Sequence, residues 1–282
     1  MVPDRSDDLH VEMDGNGSPL LLLHGFTGGA RTMWPLGRRL TLVRHVAAVD
    51  MPGHGRTGIP ADPHLFGFEH TVDALAHLLE HLDHIPADIV GYSMGGRIAL
   101  GLAVRHPGHV ASLSLIGASA GISDVVERSA RRRSDDDLAE DLLDHGLELF
   151  VDRWMASPLF ASQVRLGPDA LTDARAQRMD NDAEGLAGSL RGAGAGSQPS
   201  YWQDLADIHA PTLLVVGDED PKFRATAMRL AAGLPQSTIS VVPEAGHAPH
   251  LENLDWTSTV ILGFLADLDQ ERQAGSGRGP NR

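Results

Sequence analysis

The stretch Asp88-Ile89-Val90-Gly91-Tyr92-Ser93-Met94-Gly95-Gly96-Arg97-Ile98-Ala99-Leu100 contains the clearest structural signal in the chain. Its centre, Gly91–Gly95, matches the pattern G-x-S-x-G, which places a serine on a sharp turn between a strand and a helix. Because the five-residue pattern also occurs by chance, the residues on either side decide whether it marks a nucleophilic serine. Asp88–Val90 has the composition of a buried strand, and Gly96–Leu100 that of a helix start. The stretch therefore predicts a nucleophilic Ser93 raised above the end of a strand.

Outward from this turn, short apolar runs alternate with helical patterns, which is typical of a mostly parallel sheet with helices on both faces. The predicted strands are Leu20–Leu23, Val46–Val49, Asp88–Val90, Leu113–Ile116, Thr212–Val216 and Ile239–Val242, with Leu9–Met13 as an antiparallel edge strand. The predicted helices are Thr71–His84, Gly96–Arg105, Ala225–Ala232 and Trp256–Leu268. The fold class is therefore α/β.

The segment 121–207 interrupts this alternation, because it contains helical stretches and no convincing strand. We expect residues 1–120 and 208–270 to form one core, with 121–207 inserted as a helical lid. The Gly-rich stretch Gly192–Gly196 suggests flexibility within the lid. The polar, Gly-rich end of the chain, 271–282, is predicted to be a disordered tail.

Composition restricts the partners. The formal net charge of −15 over 282 residues argues against binding to nucleic acid or to anionic membranes. Cysteine is absent, which excludes disulfides and thiolate chemistry. No apolar run is long enough for a membrane helix, and the polar start of the chain does not resemble a secretory signal, so a cytoplasmic location is expected.

Two further sites complete the chemistry of an activated serine. The loop His24–Gly29 follows a predicted strand, and in a fold of this type it donates one backbone N–H to a developing oxyanion, while the residue after the serine donates another. We assign these donors to Phe26 and Met94. A serine also needs a histidine to take its proton, and that histidine needs a carboxylate to orient it.

The chain order serine, acid, histidine limits the choice of these partners. His247, after the last predicted strand, is the favoured base, and His250 is the alternative. Asp220, in the turn after Thr212–Val216, is the favoured acid, and Asp218 is the alternative. His77 and His81 have the i, i+4 spacing of a metal pair, but no third ligand accompanies them, so no metal or other cofactor is predicted.

Taken together, these motifs resemble those of the α/β-hydrolase superfamily. Selective features of the resemblance are Arg97, the lid segment Glu127–Asp135, Trp154, the segment Pro158–Ser162, Ser189–Gly192, Gln198-Pro199 and Lys222-Phe223. With them the chain is similar to the 2-succinyl-6-hydroxy-2,4-cyclohexadiene-1-carboxylate synthases of menaquinone biosynthesis, from about residue 18 to 268.

The resemblance implies a lyase. Ser93, activated by His247 and Asp220, would abstract a proton from 2-succinyl-5-enolpyruvyl-6-hydroxy-3-cyclohexene-1-carboxylate, and pyruvate would be eliminated. The substrate is a small anion with several carboxylates, which guanidinium groups suit. Arg97, Arg131 and Arg178 are the implied ligands, with Arg133 as an alternative to Arg131, and Tyr92, Trp154 and His24 are implied around the substrate.

Two other classes of function remain open at this point. A serine hydrolase acting on an ester, a lactone or a carbon–carbon bond would use the same triad, although an enzyme for neutral esters has no need of converging arginines. A non-catalytic binding protein of this fold is disfavoured by the complete set of candidate catalytic residues. The acidic run Asp135–Asp137 is a departure from the family pattern that could weaken the positive potential near the lid arginines.

Overall fold

The computed structural model describes residues 9–276, which form one seven-stranded sheet covered by helices. The strands are β1 (Val11–Gly15), β2 (Ser18–Leu23), β3 (Arg44–Val49), β4 (Ala87–Tyr92), β5 (Val110–Ile116), β6 (Thr212–Gly217) and β7 (Ser237–Val242). Their order in the sheet is β1-β3-β2-β4-β5-β6-β7. Among the described strands, only β1 pairs in the antiparallel sense, against β3, so the α/β fold class predicted from the sequence is confirmed.

The helices are α1 (Ala30–Leu40), α2 (Phe68–His81), α3 (Met94–Arg105), α4 (Val125–His145), α5 (Leu147–Met155), α6 (Gly167–Met179), α7 (Ala183–Ala193), α8 (Pro221–Gly233), α9 (Pro249–Glu252) and α10 (Leu254–Ser276). The sequence patterns located the main elements within a few residues but missed α1, whose interior contains Pro35. The short helix α9 was also missed.

Alternation along the strands builds two separate cores. In β2, Leu21 and Leu23 face one side of the sheet, whereas Leu20 and Leu22 face the other, as the two-residue period of a strand requires. The first core packs under α2 and α3, and the second under α1 and α10. Both faces are covered, which explains why the strands are continuous apolar runs.

Between β5 and β6 the chain forms α4, α5, α6, α7 and a 3₁₀ segment, Pro158–Leu166, without any strand. This helical insertion has its own apolar cluster, which includes Leu142, Phe150 and Leu186. The end of the insertion packs onto the main core, because Ala193 on α7 and Tyr201 both belong to the first core cluster.

Two segments that the sequence predicts to be mobile make defined contacts in the structure. In the stretch 192–196, a Cβ atom on Gly192 would lie 2.4 Å from the carbonyl oxygen of Phe66, so this glycine permits close packing. At the chain end, α10 continues to Ser276, and Arg272 donates a hydrogen bond to Asp88 at 3.1 Å, which fixes the helix beyond the predicted start of the tail. The rest of that predicted tail, 277–282, lies outside the described residues.

Candidate active site

Ser93 lies at the tight turn from β4 into α3. Its backbone adopts φ 49° and ψ −105°, a sparsely populated conformation that exposes the side chain above the sheet edge. The Ser93 N–H donates to the carbonyl of Ile116 at 2.8 Å, which anchors the turn to β5. A Cβ atom on Gly95 would lie 2.3 Å from the carbonyl oxygen of Leu23, so only glycine permits this close approach of α3 to β2.

Ser93, His247 and Asp220 form a continuous hydrogen-bonded chain. His247 Nε2 lies 3.0 Å from Ser93 Oγ, and His247 Nδ1 lies 2.9 Å from Asp220 Oδ2. The three residues follow β4, β7 and β6, whose carboxyl ends meet at one edge of the sheet. With Nδ1 donating to Asp220, Nε2 is free to accept the hydroxyl proton of Ser93, which is the arrangement of an activated serine.

The environment of Asp220 favours its ionised form. Burial raises the pKa of this carboxyl, but hydrogen bonds from His247 and from the Phe223 N–H outweigh burial and hold the pKa below its usual value. The nearby positive charge of Lys222 acts in the same direction. Asp220 therefore remains a carboxylate and can stabilise a positive charge on His247.

The alternative acid and base lie elsewhere. Asp218 is exposed, and its carboxylate accepts the Ala245 N–H at 3.2 Å, where it supports the loop that leads to His247. His250 is buried with its ring 4.3 Å from that of Tyr92, and it does not contact Ser93. Burial, followed by the nearby His247 and Arg178, lowers the pKa of His250 to about 3, so it is neutral and unsuited to proton transfer.

The Phe26 and Met94 backbone N–H groups are free to act as oxyanion donors. Phe26 lies in the turn closed by the Gly28 N–H and the Gly25 carbonyl, and within residues 9–276 no acceptor pairs with its own N–H. Met94 is the first residue of α3, where a backbone N–H has no partner inside the helix. Both residues line the cavity that contains Ser93 and His247.

That cavity has a volume of about 410 Å3. Its aromatic and apolar lining includes Phe26, Tyr92, Leu138, Trp154, Leu159, Phe160, Trp202 and Phe223. Four basic side chains line it, namely Arg97, Arg131, Lys222 and Arg229, against one acidic residue, Glu127. The cavity therefore suits a small molecule with negative charge.

Arg97 stands one turn after Ser93 on α3, and no carboxylate pairs with it in the described part of the chain. Its guanidinium donates to Gln198 Oε1 and to the Ala193 carbonyl, both at 3.1 Å. Burial, together with the nearby charge of Arg131, lowers the pKa of Arg97 to about 10. A cation that has lost water without gaining a counterion is stabilised by any anion that enters the cavity.

Of the two alternatives in the arginine run, Arg131 is the one that borders the cavity. Arg131 lines the cavity, while Arg133 is exposed on α4 and does not. The Arg131 Nε donates to Asp135 at 2.7 Å, and Asp135 also accepts the Gly196 N–H at 2.9 Å. Asp135 thus holds α4 to the glycine-rich stretch, and its charge offsets only part of the repulsion between the two arginines.

Arg178, on α6, is a second buried cation without a carboxylate partner within residues 9–276. Its side chain donates to the Ala174 carbonyl at 2.8 Å, and its Nε is buried with no hydrogen bond. The guanidinium carbon lies 6.0 Å from the centre of the Phe160 ring. Burial lowers the pKa of Arg178, which means that the charged form of this side chain is destabilised, as it is for Arg97. It stands behind the cavity wall rather than in the wall itself.

The three remaining predicted substrate ligands, Tyr92, Trp154 and His24, differ in whether they border the cavity. Tyr92 and Trp154 line the cavity, and the Trp154 ring lies 5.3 Å from that of Phe26. His24 does not line the cavity. It is completely buried, its Nδ1 donates to the Gly25 carbonyl at 2.8 Å, and its Nε2 accepts the Met51 N–H at 3.0 Å. Both nitrogens therefore support the shape of the oxyanion loop.

Two further basic residues, Lys222 and Arg229, border the cavity, although the sequence analysis assigned neither of them to the substrate site. Both lie on α8, and their i, i+7 spacing brings them to one face of the helix, a pattern that was visible in the sequence. The Arg229 guanidinium lies 3.7 Å from the centre of the Trp202 ring, and the Trp202 Nε1 donates to the Gly121 carbonyl at 2.8 Å. Arg229 is therefore held over a fixed aromatic surface.

A second groove within residues 9–276 lacks this combination of groups. A larger groove of about 660 Å3, lined by Phe66, Arg132 and Arg191 among others, lies away from Ser93 and His247. Within residues 9–276, His77 and His81 are not part of any group of three or more side chains placed to bind a metal. In the same range, no helix has the length and apolar character needed to cross a membrane.

Comparison with known proteins agrees with this geometry. A family model described as the alpha/beta hydrolase fold matches residues 18–254. A Bacillus subtilis (strain 168) protein, provisionally named 2-succinyl-6-hydroxy-2,4-cyclohexadiene-1-carboxylate synthase, is 36% identical over 88% of this chain and 90% of the relative. An Enterobacter sp. (strain 638) protein with that synthase name is 33% identical over 83% of this chain and 86% of its own length. The solved structure of MenH from S. aureus matches with a TM-score of 0.88 and 33% identity, covering 92% of this chain and 99% of that one.

Proposed function

The chain belongs to the α/β-hydrolase fold family and, within it, to the 2-succinyl-6-hydroxy-2,4-cyclohexadiene-1-carboxylate synthases, and we propose that its Ser93–His247–Asp220 triad performs the elimination for which that family is named. It is thus a lyase of menaquinone biosynthesis. The reaction converts 2-succinyl-5-enolpyruvyl-6-hydroxy-3-cyclohexene-1-carboxylate into the cyclohexadiene product and pyruvate.

The positions of the double bonds define what the enzyme must do. The substrate ring has one double bond, at carbon 3, whereas the product has two, at carbons 2 and 4. A proton must leave carbon 2, next to the succinyl ketone, and its electron pair forms the new bond to carbon 3. The former double bond then shifts to carbon 4, and the carbon–oxygen bond at carbon 5 breaks, so that pyruvate leaves as its enolate. The proton taken from carbon 2 is returned to this enolate, which gives pyruvate and restores the triad. No water is consumed.

Ser93 Oγ is the proposed base for this proton. Its own proton passes to His247 Nε2 at 3.0 Å, and the positive charge that forms on His247 faces the ionised Asp220 at 2.9 Å. As carbon 2 loses its proton, negative charge develops on the oxygen of the succinyl ketone. The free Phe26 and Met94 N–H groups are the proposed donors to that oxygen, and one such donor commonly contributes about 3 kcal/mol to the transition state.

The observation that carries the proposal is the group of cations beside this triad, of which Arg97 has no carboxylate partner among the described residues. The substrate has three carboxylates, one on the ring, one on the succinyl chain and one on the enolpyruvyl group. Arg97 and Arg131 line one part of the cavity, and Lys222 lines it from α8. Burial without a counterion makes the charge of Arg97 unfavourable in the empty site, and an anionic ligand relieves that cost when it binds.

The direct test measures pyruvate release from the enolpyruvyl substrate, with hydrolysis of a short-chain p-nitrophenyl ester followed in parallel. We expect rapid pyruvate release and little ester cleavage. Ester cleavage without pyruvate release would retain an activated Ser93 but refute the lyase assignment. A Ser93→Ala variant serves as the control, because it removes the proposed base and leaves the cationic cavity intact.

A further inference from the structure

The carboxylate of Glu252 accepts hydrogen bonds from the backbone on both sides of His247, the histidine that activates Ser93. Glu252 Oε2 accepts the Gly246 N–H at 2.9 Å, and Oε1 accepts the Ala248 N–H at 3.1 Å. These two residues are the immediate neighbours of His247 in the chain. The Glu252 side chain is only 3% exposed, so the two charge-assisted hydrogen bonds are shielded from competing water.

The loop before His247 has little regular structure of its own. It begins after β7 at Pro243, and Glu244 adopts a positive φ of 54°, a strained conformation for a residue other than glycine. Because Asp220 contacts only the far side of the imidazole ring, it sets the ring's rotation but not the position of the backbone. The two hydrogen bonds that Glu252 accepts hold the backbone in place on both sides of His247.

A lid residue, Arg165, connects this loop to the loop that holds the acid. Its Nη1 donates to both carboxylate oxygens of Glu219, at 2.8 and 2.9 Å, and Glu219 is the neighbour of Asp220. Its Nη2 donates to the Glu244 carbonyl at 3.0 Å and lies 3.8 Å from Glu252 Oε2. One guanidinium therefore joins the loop of Asp220, the loop of His247 and the Glu252 carboxylate.

Close packing also connects the lid to the loop of His247. A Cβ atom on Gly246 would lie 2.1 Å from Ser162 Oγ, in the same 3₁₀ segment as Arg165. That segment also contributes Phe160, whose ring lies 6.4 Å from that of His247 and lines the cavity. The helical insertion is thus in contact with the backbone around His247 as well as with the cavity.

We propose that Glu252 is a positioning residue for His247, and that Arg165 links this support to the helical lid. The inference rests on the proposed role of the triad. It implies that the alignment of His247 with Ser93 depends on a carboxylate that does not touch the substrate. Loss of that carboxylate lowers the rate of the proton transfer and leaves the binding of substrate unchanged.

The test is the variant Glu252→Gln, which keeps the size of the side chain but replaces one accepting oxygen with an NH2 group. We expect kcat for pyruvate release to fall at least tenfold while KM stays within twofold. The rate at which a fluorophosphonate labels Ser93 is expected to fall by a similar factor, since labelling needs the same activation by His247. Glu271→Gln is the matched control, because it makes the same change at an exposed carboxylate of α10, away from the loop of His247, and should leave both rates unchanged.

Equal kcat and equal labelling in wild type and in folded Glu252→Gln would overturn the inference, as would a loss confined to KM. If Glu252→Gln does not fold, Arg165→Gln decides, because its side chain is 45% exposed and its loss leaves the core intact. We expect threefold to tenfold slower labelling in that variant, and an unchanged rate would refute the link to the lid. Labelling that depends on Glu252 in a protein that releases no pyruvate would refute the proposed function alone.

Discussion

Replacement of Arg97 by methionine should make the protein more stable and less active at once. Its pKa is lowered from the ordinary 12.5 to about 10, which corresponds to a penalty on the charged form of about 3 kcal/mol. The Arg97 side chain is partly exposed to the cavity, which reduces this penalty. The variant also loses the two hydrogen bonds that Arg97 donates to neutral acceptors. We therefore expect a net gain of only about 1 kcal/mol, or about 2 °C in Tm.

The loss of activity should be larger than the gain in stability. A charge-assisted hydrogen bond contributes about 1.5–3 kcal/mol, so removal of the proposed carboxylate ligand should lower kcat/KM for pyruvate release by about 10- to 150-fold. Steady-state kinetics and thermal unfolding of the same preparations measure both effects. Cleavage of a neutral p-nitrophenyl ester, if detectable, should be nearly unaffected, because that substrate has no carboxylate.

Arg38→Met provides the matched control. Arg38 lies exposed on α1, and no ion pair is found for it in the described part of the chain, so the substitution should change neither kcat/KM nor Tm. Two results on Arg97→Met would refute the reasoning. Activity within threefold of wild type would remove Arg97 from the substrate site, and a fall in Tm of several degrees would show that its hydrogen bonds outweigh its desolvation.

Three further substitutions test the rest of the site. Ser93→Ala should lower kcat by at least ~10³-fold with an unchanged Tm, and substantial pyruvate release by the folded variant would exclude Ser93 as the base. Arg178→Met should raise KM by about tenfold with little change in kcat, as expected for a cation that acts through charge behind the cavity wall, and an unchanged KM would assign it a structural role. Asp220→Asn should abolish most activity and alter the dependence of stability on pH. Since folding lowers the pKa of Asp220, its contribution is present above the unfolded pKa of about 4 and is lost as pH falls through the lower folded value. Denaturant unfolding at about pH 7 and about pH 3 should therefore show a smaller acid destabilisation in Asp220→Asn than in wild type, and equal losses would contradict the assignment.

The elements that the sequence predicted well are those governed by local rules. The turn at Ser93 requires glycines and a strand followed by a helix, so five residues and their flanks specify it. The pairing of Leu23 with Gly91 between β2 and β4 then places the oxyanion loop beside the serine. A parallel sheet brings the ends of β6 and β7 to the same edge, which is why the positions of Asp220 and His247 could be inferred from order alone.

The parts that were missed depend on contacts between segments distant in the chain. His24 precedes the oxyanion loop, but its ring turns inward because Met51, on a different loop, supplies an N–H to its Nε2. The contacts of Glu252 and Arg165 with the loop of His247 connect segments that are far apart in the chain, and no spacing in the sequence indicates them. Lys222 and Arg229 were visible as a helical face, although only the fold shows that this face borders the cavity.

The excess of acidic residues makes the unpaired cations of the site more informative. With 38 acidic and 23 basic residues, the chain has enough carboxylates to pair every arginine, and on the surface many arginines are paired, such as Arg105 with Glu69 and Asp73. Arg97 and Arg178 instead have only neutral partners among the described residues, in surroundings that lower the pKa of both. Because a carboxylate neighbour would relieve that cost, a site without one is organised for an anion that arrives from solution. The triad is shared with hydrolases, so it is this arrangement of charge around it that favours elimination from a carboxylate-rich substrate over hydrolysis of a neutral ester.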